Sequence, residues 1–270
     1  MTDILDRCLF VIGRQRSGTT VLRAALASHP RVHDLGELLH EQKPGGFYAE
    51  LGARLAETAS AGLHERWFDI LVATIQRLAP PEDDKVLLVD IKYNGALNFG
   101  SLFVGPTMVN TLIHKLSLHR ATVIHVLRRN KLSLLTSVEM ARKTGQWRLQ
   151  HGQERHIATI GLDLRKLPAR IAAEEALDAY FTAQLAGIGA RIPVVYEDMF
   201  MPDGSFAKGC FMQVAQRFAI EPAFDFGPRL AKQSAPLSTA IANFAEVSAQ
   251  IDSLIKAGSL SPDYRTYLRA

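Results

Sequence analysis

An α/β fold is predicted: a P-loop-like three-layer domain with a central, mainly parallel β-sheet flanked by helices. Three observations carry this reading. Four short apolar runs, at residues 8–13, 86–92, 122–127 and 192–196, have the composition of strands buried on both faces. Helical segments alternate with them, as a parallel sheet requires. The first run also passes through a tight polar loop straight into a helix. With 270 residues, 47% hydrophobic and 21% charged, the chain has ample material for a core. No linker, repeat or low-complexity tract interrupts it, so residues 1–270 read as a single domain.

The first strand is Cys8-Leu9-Phe10-Val11-Ile12, ended by Gly13. Arg14-Gln15-Arg16-Ser17-Gly18 forms the loop, and Thr19 to Ser28 a helix with Val21, Leu22, Ala25 and Leu26 on one stripe. Counted from Gly13, the spacing is almost that of the phosphate-binding loop G-x-x-x-x-G-K-[ST]. Thr19 occupies the lysine position, and the cation sits inside the loop at Arg16. Gly18 permits a close backbone turn. The helix's first amides and its dipole favour an anion. Ser17, Thr19 and Thr20 add hydroxyl donors, and Arg16 adds a charged fork suited to phosphate or sulfate oxygens.

Beyond the first helix, Glu37 follows Gly36 a short loop away, with His33 and His40 nearby as titratable alternatives. Ala49 to Leu78 reads as helices that cover the sheet or wall a pocket. The run Val86 to Lys92 is a strand whose end places Lys92 at the sheet edge where ligands collect. Ala121 to Leu127 is another strand, running into Arg128-Arg129-Asn130-Lys131-Leu132-Ser133 and a helix that reaches Ser137. Leu132, Leu135, Val138 and Ala141 give that helix an apolar face. An Arg at the strand end and a Ser two turns into the helix can converge on one dianionic phosphate. Ala169 to Ile188 is a further helix, followed by the strand around Ile192 to Tyr196. Near the end, a loop with Lys232 and Gln233 precedes a helix with Ile241, Phe244, Val247, Ile251 and Leu254 on its apolar stripe.

The strand, the loop Arg16-Ser17-Gly18-Thr19-Thr20 and the helix closing in Ser28-His29-Pro30 together resemble the 5′-phosphosulfate loop of sulfotransferases. Arg16, where the cytosolic branch has Lys, makes the chain more similar to the bacterial and carbohydrate branch. Arg128-Arg129-Asn130-Lys131-Leu132 is similar to the segment of trehalose-type enzymes that binds a 3′-phosphate. The resemblance implies 3′-phosphoadenosine 5′-phosphosulfate (PAPS) as donor, 3′,5′-adenosine bisphosphate as product, and no metal. It implies that Arg14 to Thr20 hold the phosphosulfate and that Arg128 and Ser137 hold the 3′-phosphate. Arg129 fits the family's Arg-to-Ser spacing and Arg128 its strand alignment; Arg128 is preferred. Glu37 matches the general base of a similar Gly-Glu segment, and Lys92 a lysine near the sulfuryl group. Lys232-Gln233 before Ile241-Ala242-Asn243-Phe244 is similar to the loop that closes over the cofactor. Residues 41–85 and 145–190 stay unassigned, and the acceptor is expected to be chosen there.

Two rival readings stand beside this one. Asp90, at the end of an apolar strand, could hold magnesium in an ATP-dependent phosphotransferase or nucleotide kinase. A nucleotide-binding protein without catalysis is the other. The net charge of +4 is dispersed, which suits an anionic cofactor but is no nucleic-acid footprint. The two cysteines, Cys8 and Cys210, lack metal-ligand spacing, so neither zinc nor a disulfide is expected. The N-terminal apolar run is too short for a signal or membrane span, so a cytoplasmic bacterial enzyme is expected. Its acceptor would be a small molecule or glycan. A homodimer is compatible with the sequence, which does not fix the oligomeric state.

Overall fold

The computed structural model describes residues 4–57, 63–82, 84–93, 110–147, 156, 158–201, 206–207, 209–221 and 236–269. In chain order the main elements are β1 (Cys8–Gly13), α1 (Thr19–Leu26), β2 (Val32–Gly36), α2 (Phe47–Glu57), α3 (Leu63–Leu78) and β3 (Val86–Lys92). Then come α4 (Thr111–Leu118), β4 (Thr122–Leu127), α5 (Lys131–Thr144), α6 (Leu167–Leu185), β5 (Arg191–Val195) and α7 (Gly209–Phe218). The chain ends with α8 (Leu237–Ala240), α9 (Phe244–Lys256) and α10 (Tyr264–Arg269). Short 3-10 turns lie at Ile4–Arg7 and Tyr196–Asp198. Among the described residues no helix is long and apolar enough to cross a membrane.

The contacts divide the chain into two compact units. The first, Met1–Leu127 with Phe181–Pro228, holds the sheet, whose strands run parallel in the order β2-β3-β1-β4-β5. This is the predicted α/β architecture. The central strands β1 and β3 are buried at every position, which explains their apolar composition, interrupted in β3 only by Asp90 and Lys92. The edges read differently. At one edge β2, Val-His-Asp-Leu-Gly, buries only Val32 and Leu35, so its polar composition hides it from a search for apolar runs. At the other edge β5 accommodates Pro193, which could not donate within an interior ladder. The core of this unit joins Leu9, Val11, Leu22, Leu88, Ile124 and Val194.

The second unit, Arg128–Tyr180 with Arg229–Ala270, is helical among its described residues and has its own core around Leu132, Leu135, Ile171, Val247 and Ile251. Here the predicted apolar stripe is cut shorter than expected. Ile241 lies outside α9 and forms an isolated parallel bridge with Ile160. Asn243 explains the break. Its amide accepts from the Leu162 N–H (3.0 Å) and donates to the Leu162 carbonyl (2.9 Å), pinning the chain in an extended form before the helix starts.

Asn243→Ala should therefore lower the unfolding free energy by about 1–3 kcal/mol, the cost of leaving both Leu162 groups unpaired. A lowered denaturant midpoint with an unchanged slope would check it.

Candidate functional site

The loop after β1 leaves the sheet from its central strand. Gly13 pairs with Lys92 of β3 on one side and Val126 of β4 on the other. The strand order reverses direction here, the place where open α/β sheets gather ligands. Gly13 is required by close approach, since a Cβ there would lie 2.9 Å from the Val126 carbonyl oxygen and 2.7 Å from the Thr19 methyl. Two residues of the loop have left-handed backbone. Gly18, at φ 96°, caps α1, and a Cβ on it would come within 2.3 Å of the Tyr196 ring. Arg16 has φ 71°, a conformation uncommon for a side-chain-bearing residue and one that costs free energy to hold. Ser17 and Thr19 are buried at the mouth of α1. The Ser17 hydroxyl has no hydrogen-bond partner among the described residues. A buried hydroxyl beside helix amides is a fitting donor for an anion's oxygen.

A charged cluster lies under this loop. Lys92 is buried, and its Nζ donates to the Thr19 hydroxyl and to both oxygens of Asp90. The cation missing from the Thr19 position of the loop is thus delivered to Thr19 from the neighbouring strand. Arg23, on α1, donates through Nη1 to Asp90 (2.6 Å) and through Nε to Asp34 (2.9 Å). Burial opposes the Arg23 charge, but Asp90, Asp34 and Glu37 more than offset it, holding the guanidinium above its ordinary value. The Glu37 Oε1 lies 3.9 Å from Lys92 Nζ and 4.0 Å from Arg23 Nη1. Glu37, Lys92 and the loop hydroxyls are therefore brought together. His40 is exposed, its Nδ1 accepting the Gln42 amide at 3.2 Å, and His33 is half-buried in β2.

Sequence reasoning missed Arg23 and Asp34. The signal for Arg23 was an arginine set among Leu22, Ala25 and Leu26 on a short helix that covers the sheet. Its partner Asp90 was noticed, but as a magnesium ligand. The fully buried Asp90 carboxylate accepts from both Arg23 and Lys92, and a divalent cation there would meet two positive charges at contact distance. Among the described residues no group of three His, Cys, Asp or Glu side chains is arranged to hold a metal ion.

The second unit holds the other candidate residues. Arg128 is buried, whereas Arg129 is exposed. The Arg128 guanidinium donates to the Ser133 hydroxyl (2.6 Å), a residue not singled out from the sequence. Asn130 caps α5 by accepting from the Ser133 amide at 2.8 Å. Lys131 donates to the Arg128 carbonyl and to Asp178, fixing the backbone that carries Arg128. Ser137, half-buried, lies one helical turn after Ser133, so both hydroxyls share a face of α5. Lys232 and Gln233 lie outside the described residues.

Comparison with known proteins agrees with the sequence. Residues 8–88 match the model of a sulfotransferase family. The matched stretch contains β1, the loop, α1, β2, Glu37 and the first three residues of β3, so the sulfotransferase resemblance read from the first motif is borne out; the Arg128 segment lies beyond it. It supports sulfuryl transfer as the general activity. No curated protein matches the chain. Among solved structures, the sulfotransferase domain of the Synechococcus PCC 7002 olefin synthase is similar at 16% identity, with a TM-score of 0.40. That alignment covers 86% of this chain and 85% of the other.

Gly18→Ala tests the loop's geometry directly. With φ positive and Tyr196 and Met199 in the way, it should destabilise the protein by more than about 1 kcal/mol. Trimming Tyr196 to Ala in the same chain should recover the steric part of that loss but not the backbone part, as read from thermal unfolding.

Proposed function

We propose that the chain is a PAPS-dependent sulfotransferase acting on a hydroxyl of a sugar, glycolipid or small molecule. The observation that supports it most is the loop after β1. It ends at a helix N-terminus, strains Arg16 into the left-handed region, buries the Ser17 hydroxyl, and has Lys92 against Thr19 with Glu37 close by. Strain of this kind is kept where a surrounding structure and a function demand it.

In this reading Arg14 to Thr20 bind the phosphosulfate end, and Arg128 with Ser137 binds the 3′-phosphate. Lys232 and Gln233 would close over the nucleotide. The bound donor supplies an activated sulfuryl group whose bond to the bridging phosphate oxygen breaks as the bond to the acceptor oxygen forms. Glu37 takes the acceptor's hydroxyl proton. Arg16 neutralises charge developing on the leaving oxygen, which departs as 3′,5′-adenosine bisphosphate. Lys92 adds positive charge beside the sulfuryl group.

Calorimetric titration of 3′,5′-adenosine bisphosphate, with ATP–magnesium and 5′-AMP in parallel, tests the donor. Tight binding of the bisphosphate without metal and much weaker binding of 5′-AMP are expected. Preference for ATP–magnesium would sink the reading in favour of phosphoryl transfer. Glu37→Ala should make turnover collapse with bisphosphate affinity nearly unchanged; full activity in that variant would remove Glu37 as the base. Arg16→Gly should split two properties. Relief of the strained backbone should leave stability equal or higher by up to about 1 kcal/mol. Loss of a charged hydrogen bond should weaken bisphosphate binding about ten- to a hundredfold.

A further inference from the structure

We propose that Arg23 and Asp34 are positioning residues that aim Glu37, through a bridge of two carboxylates and one guanidinium anchored on β3. The inference rests on the reading of Glu37 as the base. Glu37 itself sits just past the end of the edge strand β2. The pairing of β2 with β3 also shifts there: Asp34 faces Leu88 and Gly36 faces Val89, so Leu35 is an extra residue. A bulge of this kind re-aims the side chains that follow it.

What fixes the bulge is Asp34. Its Oδ1 accepts the Gly36 N–H at 2.9 Å, and its Oδ2 accepts Arg23 Nε at 2.9 Å. The same guanidinium holds Asp90 of β3 through Nη1 at 2.6 Å. The turn carrying Glu37 is thereby tied, atom by atom, to a fully buried residue of an interior strand. From the other side Lys43 Nζ donates to the Leu35 carbonyl at 2.7 Å, and Gly36, at φ 77°, passes so close that a Cβ would lie 2.9 Å from that ammonium.

Charge makes the bridge dependent on arginine. Asp34, Glu37 and Asp90 are three carboxylates gathered about Arg23 and Lys92. Lysine at position 23 would keep the charge but offer a point donor instead of a fork that spans two carboxylates. The bridge needs both arms at once.

The test uses the full chain with Asp34→Ala, Arg23→Lys and Glu37→Gln, the last also combined with Asp34→Ala. Three quantities are measured: calorimetric affinity for 3′,5′-adenosine bisphosphate, its release from PAPS with a panel of sugars, and amide hydrogen exchange across Gly36 and Glu37. Asp34→Ala should lower turnover about ten- to a hundredfold, the scale of an ångström-level misplacement, with bisphosphate affinity kept within about twofold. Exchange at Gly36 should accelerate. Arg23→Lys, which keeps the charge but not the fork, should lower turnover to a similar degree. On the residual turnover of Glu37→Gln, Asp34→Ala should cost nothing further, because a residue that only aims Glu37 has nothing left to aim. Wild-type turnover in Asp34→Ala, unchanged exchange at Gly36, or a multiplied loss in the Glu37→Gln background would each overturn the inference. If Glu37→Gln collapses transfer while Asp34→Ala keeps the wild-type rate, the positioning role alone falls. If the wild-type chain binds no bisphosphate, the donor reading falls and this inference falls with it.

Discussion

Asp90 is a fully buried carboxylate in the middle of a sheet, and the first unit is organised around neutralising it. An isolated carboxylate at such a place would cost several kcal/mol after relaxation. Two cations offset that cost, and each comes from a different part of the site. Lys92 arrives from the same strand, two residues on, and carries its remaining donor capacity to Thr19 at the start of α1. Arg23 arrives from the second turn of α1 and carries its second arm to Asp34 on β2. One buried charge thus joins β3, the anion loop's helix and the edge strand before Glu37. Removing either cation would leave a partly paired buried network, the arrangement that proteins tolerate least.

The same constraint brings a lysine to a loop whose own sequence lacks one. In G-x-x-x-x-G-K-[ST] loops the cation is borne by the helix start itself. Here the helix start carries Thr19, and the charge behind it belongs to Lys92 on the sheet. The other cation, Arg16, sits in the loop at a backbone angle that costs free energy. One charge is fixed to the rigid sheet and one is held on a strained turn.

Much of this was legible in the chain. The interior strands were visible because parallel strands buried on both faces are mostly apolar, and residues 8–13, 86–92 and 122–127 coincide with β1, β3 and β4. The fourth run, 192–196, is offset by one residue from β5. The edge strand β2 was not visible, because only Val32 and Leu35 face the core and the intervening His33 and Asp34 read as loop. Loop residues Gly13 to Thr20 were legible because glycine, hydroxyl and arginine at fixed spacing have few other uses. Arg23 and Asp34 were not. Their meaning lies in a contact across 11 residues, and in one with Asp90 across 67, that no local pattern records. In the second unit, Ser133 escaped for the opposite reason: a serine near a helix start is so ordinary at a cap that its hydroxyl's bond to Arg128 leaves no sequence trace.

The residues missed and the residues found differ in kind, and the difference follows from what each must do. Groups that touch a phosphate or sulfate often sit at a helix N-terminus or a strand end, because those are places where backbone donors and dipoles already converge. Their spacing is then imposed by local geometry, and local geometry is readable. Groups that hold a base in position answer to no such rule. Any pair of side chains that can span from a rigid strand to the turn will serve, so their identity is settled by packing in three dimensions. Arg23 serves because α1 lies over β3, with Asp90 below and Asp34 beside it at hydrogen-bond distance. A sequence announces the chemistry of a site more readily than the scaffolding that makes the chemistry work, and in this chain the scaffolding is a guanidinium between two aspartates.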